Sequence, residues 1–238
     1  MTVLLSTHGL KKSFGGLRAV DGMDFALETG EIRAIIGPNG AGKTTFVSLV
    51  CGRILPDAGT ISFQRRDITA LPAHARVRLG IAYTFQITSI YPRLSVFDNV
   101  ALAAQRSGEG GLHERAMAAL ERVHLERRHA EPAGTLPYGH QRLLELAMAL
   151  ALKPRLLILD EPTQGLSDAE IADFITLVRA LSQDATILLI EHNMPVVMEL
   201  AGRITVMESG TVLAEGSPAA ISADPAVQRA YLGAPADG

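Results

Sequence analysis

Residues 37–44 read Gly-Pro-Asn-Gly-Ala-Gly-Lys-Thr, after Ile32-Arg-Ala-Ile-Ile36, which reads as a short buried strand, and before a helix-forming stretch, Thr44–Cys51. The glycines let backbone N–H groups turn inward around an anion, and a helix that begins there adds its own unpaired donors. Lys43 places a cation on β and γ phosphates, and the Thr44 hydroxyl is the expected Mg²⁺ ligand. Gly37, Pro38, Asn39, Gly40, Ala41, Gly42, Lys43, Thr44 and Thr45 are therefore the candidate phosphate cradle. A glycine turn with an incidental lysine would not account for the strand before it and the helix after it. This strand–loop–helix order is the opening unit of an α/β nucleotide fold, and the rest of the chain has to be arranged around it.

The rest is compatible with that. The chain has 238 residues, 47% hydrophobic and 20% charged, which is the composition of a globular protein able to bury a sizeable core. A net charge of -3 gives no electrostatic case for a nucleic-acid binder. The single cysteine, Cys51, cannot form an internal bridge and reads as a small apolar core residue on a helix. The opening MTVLLSTHGLKK lacks the apolar core of a secretion signal, and no segment approaches the roughly 20 apolar residues that span a bilayer.

Residues 3–28 alternate loosely, with Val20, Met23, Phe25 and Leu27 on one face, which predicts paired strands. Gly59–Phe63 and Ile81–Tyr83 read as further strands. From about Ser95 to Leu152 the pattern is helical: VFDNVALAAQ, LHERAMAALERVHL, and a helix opened by Tyr138 and Gly139, with Ser107–Gly111 as a break. The α/β rhythm then resumes with the strand Leu156–Leu159, a helix Ile171–Leu181, the strand Thr186–Ile190 and a helix Met194–Ala201. Two short strands and a helix Ala226–Leu232 close the chain.

Two apolar strands end in polar residues. Leu156-Leu-Ile-Leu159 runs into Asp160 and Glu161, where Asp160 can hold Mg²⁺ through water and Glu161 can polarise an attacking water. Ile187-Leu-Leu-Ile190 runs into Glu191 and His192, whose imidazole N–H could donate to a γ phosphate. Gln86, after the strand Ile81–Tyr83, could reach the metal and the water from a hinge. LPYGHQRLLELA, residues 136–147, is a tight turn feeding a second helix start of the kind that attracts anions.

Together these motifs, in this order, make the chain resemble the ATP-binding subunits of ABC transporters over nearly its whole length. The resemblance implies an α/β P-loop NTPase fold with an N-terminal antiparallel β subdomain and an inserted α-helical subdomain. It places a RecA-like core at about 1–86 and 153–238 and the helical signature subdomain at about 87–152. It implies ATP and Mg²⁺ as ligands, Phe14 as an adenine-stacking aromatic, and Gln86 as the Q-loop residue that is also a metal ligand. It further implies Glu161 as the general base and His192 as the H-loop histidine. Phe14 has a competing explanation as a core residue of its strand, and Val20 is a further candidate for packing on the nucleotide. In this family two ATP molecules lie between two subunits, each against the phosphate loop of one and the signature loop of the other. Here that signature is Pro137, Tyr138, Gly139 and His140 after Leu136. Closure would move the helical insert, docked through residues such as Tyr91 and Leu94 on an integral membrane permease.

Two departures from the family pattern stand out. The usual signature Leu-Ser-Gly-Gly-Gln is here Leu136-Pro-Tyr-Gly-His140, which removes the serine hydroxyl. The D-loop, often Ser-Ala-Leu-Asp, is Gln164-Gly-Leu-Ser167. LPYG, the following Gln-Arg, Glu191-His-Asn-Met194 and Val227–Gly233 look most like the ATPases of branched-chain amino acid importers. Relatives with that pattern also serve importers of urea, short amides and other hydrophobic amino acids. Such a system implies a bacterial or archaeal source, a place on the cytoplasmic face of the membrane and, indirectly, a periplasmic solute-binding protein. Leu71–Arg76 and Arg93–Asn99 also resemble the ATPase of lipopolysaccharide export, whose relatives retain Ser-Gly-Gly. A soluble ABC ATPase of DNA repair or translation would carry a coiled-coil insertion or a second cassette, and a P-loop kinase would not need the signature.

Overall fold

The computed structural model describes residues 2–84, 89–105 and 111–232. Gln86, most of the Ser107–Gly111 break and Gly233 lie outside the described residues. The chain forms two compact units, Met1–Arg76 with Thr186–Gly238, and Val77–Ala185.

In the first unit, β1 (Val3–Phe14) and β2 (Leu17–Glu28) form the hairpin that the loose alternation predicts, and β4 (Ala58–Phe63) and β5 (Arg66–Asp67) extend it into an antiparallel sheet of order β2-β1-β4-β5. A second sheet centres on β3 (Ile32–Ile36). β3 pairs in parallel with β8 (Thr186–Ile190) on one side and β9 (Arg203–Glu208) on the other, and β10 (Thr211–Gly216) returns antiparallel to β9. β8 is buried at every residue and β3 at all but its first, as strands of a covered parallel sheet are. Helices α7 (Met194–Leu200), α8 (Pro218–Ala223) and α9 (Pro225–Leu232) cover this sheet through Val197, Ile221 and Val227.

Arg33 joins the two sheets. It is buried in β3, donates to Glu31, Thr205 and the Ala26 carbonyl, pairs with Glu215, and lies 5.4 Å from the Phe25 ring. A buried guanidinium is tolerated because its donors meet acceptors on both sheets. Phe25 in turn meets Phe46 of α1 (Lys43–Val50) edge to face at 5.3 Å, which seats that helix on the antiparallel sheet. α2 (Ala73–Arg78) spans the junction of the two units.

The second unit holds the parallel pair β6 (Ile81–Thr84) and β7 (Leu156–Asp160) and the helices α3 (Val96–Ala104), α4 (Leu112–Arg122), α5 (Tyr138–Leu150) and α6 (Asp168–Leu181). α6 begins three residues earlier than periodicity predicts. Ser167 and Glu170 form a reciprocal capping box that adds a polar turn ahead of the apolar stripe. Cys51 is buried at the end of α1, as its core assignment requires.

Candidate functional site

The phosphate loop leaves β3 and the turn carrying His192 leaves β8, and the register pairs Ile35 with Ile190. Both polar segments therefore emerge side by side at the carboxyl ends of adjacent parallel strands, where open α/β sheets bind ligands. Within the loop, Lys43 Nζ donates to the carbonyls of Gly37 at 2.6 Å and Pro38 at 3.0 Å, so the ammonium lies across the loop mouth. Gly42 caps α1 with φ 99°, and a Cβ there would run into the Ala19 carbonyl. Ala41 is buried and locked, donating to the Pro38 carbonyl and accepting from Gly210. Asn39, Gly40 and Thr44 are exposed, and Pro38 and Thr45 are half-buried.

The start of α1 has neither a side-chain cap nor an acidic residue in its first turn. Among the described helices of eight residues or more, α5 alone shares this, with Pro137 as N-cap and no acid in its first turn. The others are neutralised: α3 by Ser95 and Asp98, α4 by Glu114, α6 by its capping box, and α9 by the Asp224 carboxylate. Uncompensated N–H groups and the positive end of the helix dipole are what an anion site needs. The sequence-predicted phosphate loop and signature loop open these two helices.

At the signature, Pro137 is exposed, Tyr138 is 44% exposed and Gly139 is buried. Gly139 is closely approached by Glu170, whose other carboxylate oxygen is tied to the Ser167 amide at 2.8 Å and hydroxyl at 2.7 Å. Those two donors hold the Glu170 carboxyl below the usual carboxylate range. Ser167, at the usual D-loop aspartate position, is thereby committed to capping α6. His140 is half-buried with its Nδ1 buried and unpartnered, beside an apolar groove of about 610 Å³ that Leu143, Phe174 and Leu177 also line.

Asp160 ends β7 and is buried, accepting a hydrogen bond from the Tyr83 hydroxyl at 2.7 Å. Sequence reasoning missed Tyr83, because a tyrosine in a strand signals nothing until the parallel pairing of β6 with β7 sets it beside Asp160. Glu161 follows at φ 47°, a left-handed conformation that a non-glycine residue adopts at some cost and that concentrates at functional sites. Glu191 is a second residue that was missed: buried, it accepts from the amides of His192 at 2.9 Å and Asn193 at 3.0 Å and so shapes the turn that presents the exposed His192.

Phe14 is 50% exposed at the end of β1, with Lys12 Nζ 5.7 Å from its ring, which rules out the competing core explanation. Val20, by contrast, is 1% exposed and belongs to the core, so it has no face left for a nucleotide. Tyr91 and Leu94 are exposed on a stretch that buried Asn99 staples, accepting from the Tyr91 amide and donating to the Tyr91 and Ser95 carbonyls. Gln86 cannot be placed, since it falls outside the described residues. Among those residues no helix is long and apolar enough to cross a membrane.

Residues 20–164 match the model of the ABC transporter family, and residues 211–237 match that of the branched-chain amino acid ATP-binding cassette transporter. The chain is 38% identical to the high-affinity branched-chain amino acid transport ATP-binding protein LivG of Salmonella typhimurium, over 97% of this chain and 98% of that one. It is 37% identical to BraF of Pseudomonas aeruginosa, with the same coverage, and 35% identical to the lipopolysaccharide export system ATP-binding protein LptB of Acidithiobacillus ferridurans, over 98% of each. Among solved structures, a nucleotide-free ATP-binding cassette from an ABC transporter superposes with a TM-score of 0.89 at 28% identity, covering 98% of this chain and all of that one. With the phosphate loop, the paired strand ends and the two uncapped helix starts in place, the chain belongs to the ABC transporter family as one of its ATP-binding, ATP-hydrolysing subunits.

Proposed function

We propose that the chain powers uptake of branched-chain amino acids, or of a related small solute, by closing as a dimer on two ATP molecules and hydrolysing them. The observation that carries this reading is that α1 and α5 both begin with no side-chain cap and no acid in their own first turns. α1, with Lys43, would hold the phosphates of the ATP bound to its own chain, and α5 would meet the γ phosphate of the ATP bound to the partner chain. Phe14 would stack on adenine, which needs an open aromatic face and no base-edge contacts. Glu161 would take the proton from the attacking water, and His192, presented by Glu191, would orient the γ phosphate; Gln86 keeps the role that the family pattern implies.

Mg²⁺ fits the donor set, because the Thr44 hydroxyl and the Asp160 carboxylate are the hard oxygen ligands that the ion prefers. It would supply charge neutralisation at the phosphates, and the Tyr83 hydroxyl would orient Asp160 toward it. Exposed Tyr91 and Leu94 would dock the permease, holding the chain on the cytoplasmic face of the membrane of a bacterium or archaeon. A periplasmic binding protein would deliver the solute to the other side. The match over 211–237 favours the amino acid importer over lipopolysaccharide export, although a relative of the latter kind is 35% identical.

Two experiments test this. Lys43→Ala should weaken ATP binding by the isolated chain by about a hundredfold, in line with the loss of a charge-assisted contact, whereas substitution of Gly139 or His140 should leave monomer binding intact. Impaired monomer binding in the latter variants would end the assignment in trans. ATP-driven leucine uptake by proteoliposomes that hold the chain with its permease tests the solute, and lipopolysaccharide release in place of uptake would overturn it.

A further inference from the structure

The two departures from the family pattern touch each other. Tyr138 stands where the usual signature has its first glycine, and Gly165 stands where the usual D-loop has alanine. Gly165 holds φ 79°, and a Cβ built on it would lie 2.9 Å from Tyr138 Cε1, closer than real Cβ atoms approach. The tyrosine ring thus fills the room that an alanine methyl would take.

The ring is itself held. Arg142 Nε donates to the Tyr138 hydroxyl at 3.1 Å, and the guanidinium carbon lies 5.4 Å from the ring centroid. Arg142 pairs with Glu145 at 3.1 Å, both side chains almost fully buried, and the other oxygen of Glu145 accepts the Ser89 amide at 2.6 Å. Ring, guanidinium, carboxylate and amide form a continuous chain from the D-loop to Ser89, just past Gln86.

The turn that includes Gly165 also carries Glu161. Gln164 N–H donates to the Glu161 carbonyl at 3.2 Å and Leu166 N–H to that of Thr163 at 3.2 Å. A residue at φ 47° keeps that conformation only while its surroundings enforce it. We propose that Tyr138 is a positioning residue for ATP hydrolysis in its own chain. Its ring, seated on Gly165 and anchored by Arg142 and Glu145, holds the Glu161–Leu166 turn so that the Glu161 carboxylate is aimed. This rests on Glu161 being the general base, as proposed above.

The test is a double-mutant cycle on steady-state ATP hydrolysis by the full chain with Mg²⁺, with melting temperatures read alongside. Tyr138→Ala should lower kcat by about tenfold to a hundredfold while KM for ATP stays within about twofold, because a misaimed base costs chemistry and not binding. Tyr138→Phe keeps the ring on Gly165 and should retain kcat within about threefold. Gly165→Ala should lower kcat about as far as Tyr138→Ala does, and the double variant should be no worse than either single one. Wild-type kcat in Tyr138→Ala, multiplicative losses in the double variant, or a loss confined to KM would each overturn the proposal. If Tyr138→Ala melts below the assay temperature, the other two variants decide: kcat kept in Tyr138→Phe and lost in Gly165→Ala supports it, and equal kcat in both overturns it. Glu161→Gln in the same assay separates the two claims. Wild-type hydrolysis there defeats the base assignment, and with Glu161→Gln inactive the other outcomes bear on Tyr138 alone.

Discussion

Arg76 and Arg142 are both buried, and each secures one of the two helices that begin without a cap, but they do so with different partners. Arg76 donates to four backbone carbonyls: Leu49 at 2.6 Å and Val50 at 2.8 Å at the end of α1, Leu71 at 2.9 Å and Thr69 at 3.0 Å. These carbonyls belong to the backbone, so the clamp ties α2 to the end of α1 without any intervening side chain. The partners of Arg142 include side chains, the Tyr138 hydroxyl and Glu145, and Glu145 reaches the backbone of Ser89. The helix proposed to cradle its own nucleotide is held through backbone carbonyls, and the helix proposed to meet the partner's nucleotide is held in part through side chains.

The largest effect should come from the Arg76 clamp. Arg76→Met removes four buried hydrogen bonds at once, and at roughly 1 kcal/mol for each it should cost about 4 kcal/mol, lowering the melting temperature by about 10 °C. Below that transition the folded fraction should hydrolyse ATP at the wild-type kcat. A matching fall in kcat would erase the distinction between the two arginines.

Arg142→Met should cost less, about 2 kcal/mol, because the carboxyl left behind can neutralise itself and then costs only an unmade hydrogen bond. Burial already pushes the Glu145 carboxyl above the usual carboxylate range, against the pull of Ser89 and Arg142. A folded value above the unfolded one means that the stability is present below the unfolded pKa and is lost as pH rises through the folded one. Without Arg142 the folded value rises further, so the deficit against wild type should be smaller in melts at pH 5 than at pH 8. A deficit independent of pH would contradict the buried pairing.

Smaller effects follow at the start of α6. Ser167→Ala removes the cap and should cost about 1 kcal/mol by thermal melts, a loss that places the residue in its own helix end. Glu170→Gln should lower the melting temperature less than Ser167→Ala does near neutral pH, since the amide oxygen can still accept. The lowered carboxyl of Glu170 stabilises above its unfolded pKa, and that contribution is lost as pH falls through the folded value. The variant and wild type should therefore converge on acidification, and divergence would contradict the box.

The same contrast explains which parts could be read from the sequence. β3, β7 and β8 are short, mostly apolar runs with polar or glycine ends, and the predicted spans match them to within a residue. α2 was missed because its one buried residue is Arg76, and hydrophobic periodicity cannot register an arginine that does the work of a core residue. The early start of α6 carried a readable signal, Ser167 followed by Glu170, as did α8, with Ser217 ahead of Pro218. Partnerships such as Tyr83 with Asp160, or Tyr138 with Gly165, have no one-dimensional signature. They arise only when strands pair and loops pack, and there the motifs supplied the residues without their supports.

The claim on which the rest depends is that the turn after β7 presents Glu161 as the base. Single-turnover hydrolysis with Glu161→Gln, run beside ATP binding, tests it directly. Affinity should be retained and a stable ATP-bound dimer should accumulate, while the hydrolysis rate falls by about a hundredfold or more. Hydrolysis at the wild-type rate, with ATP bound equally well, would contradict the account.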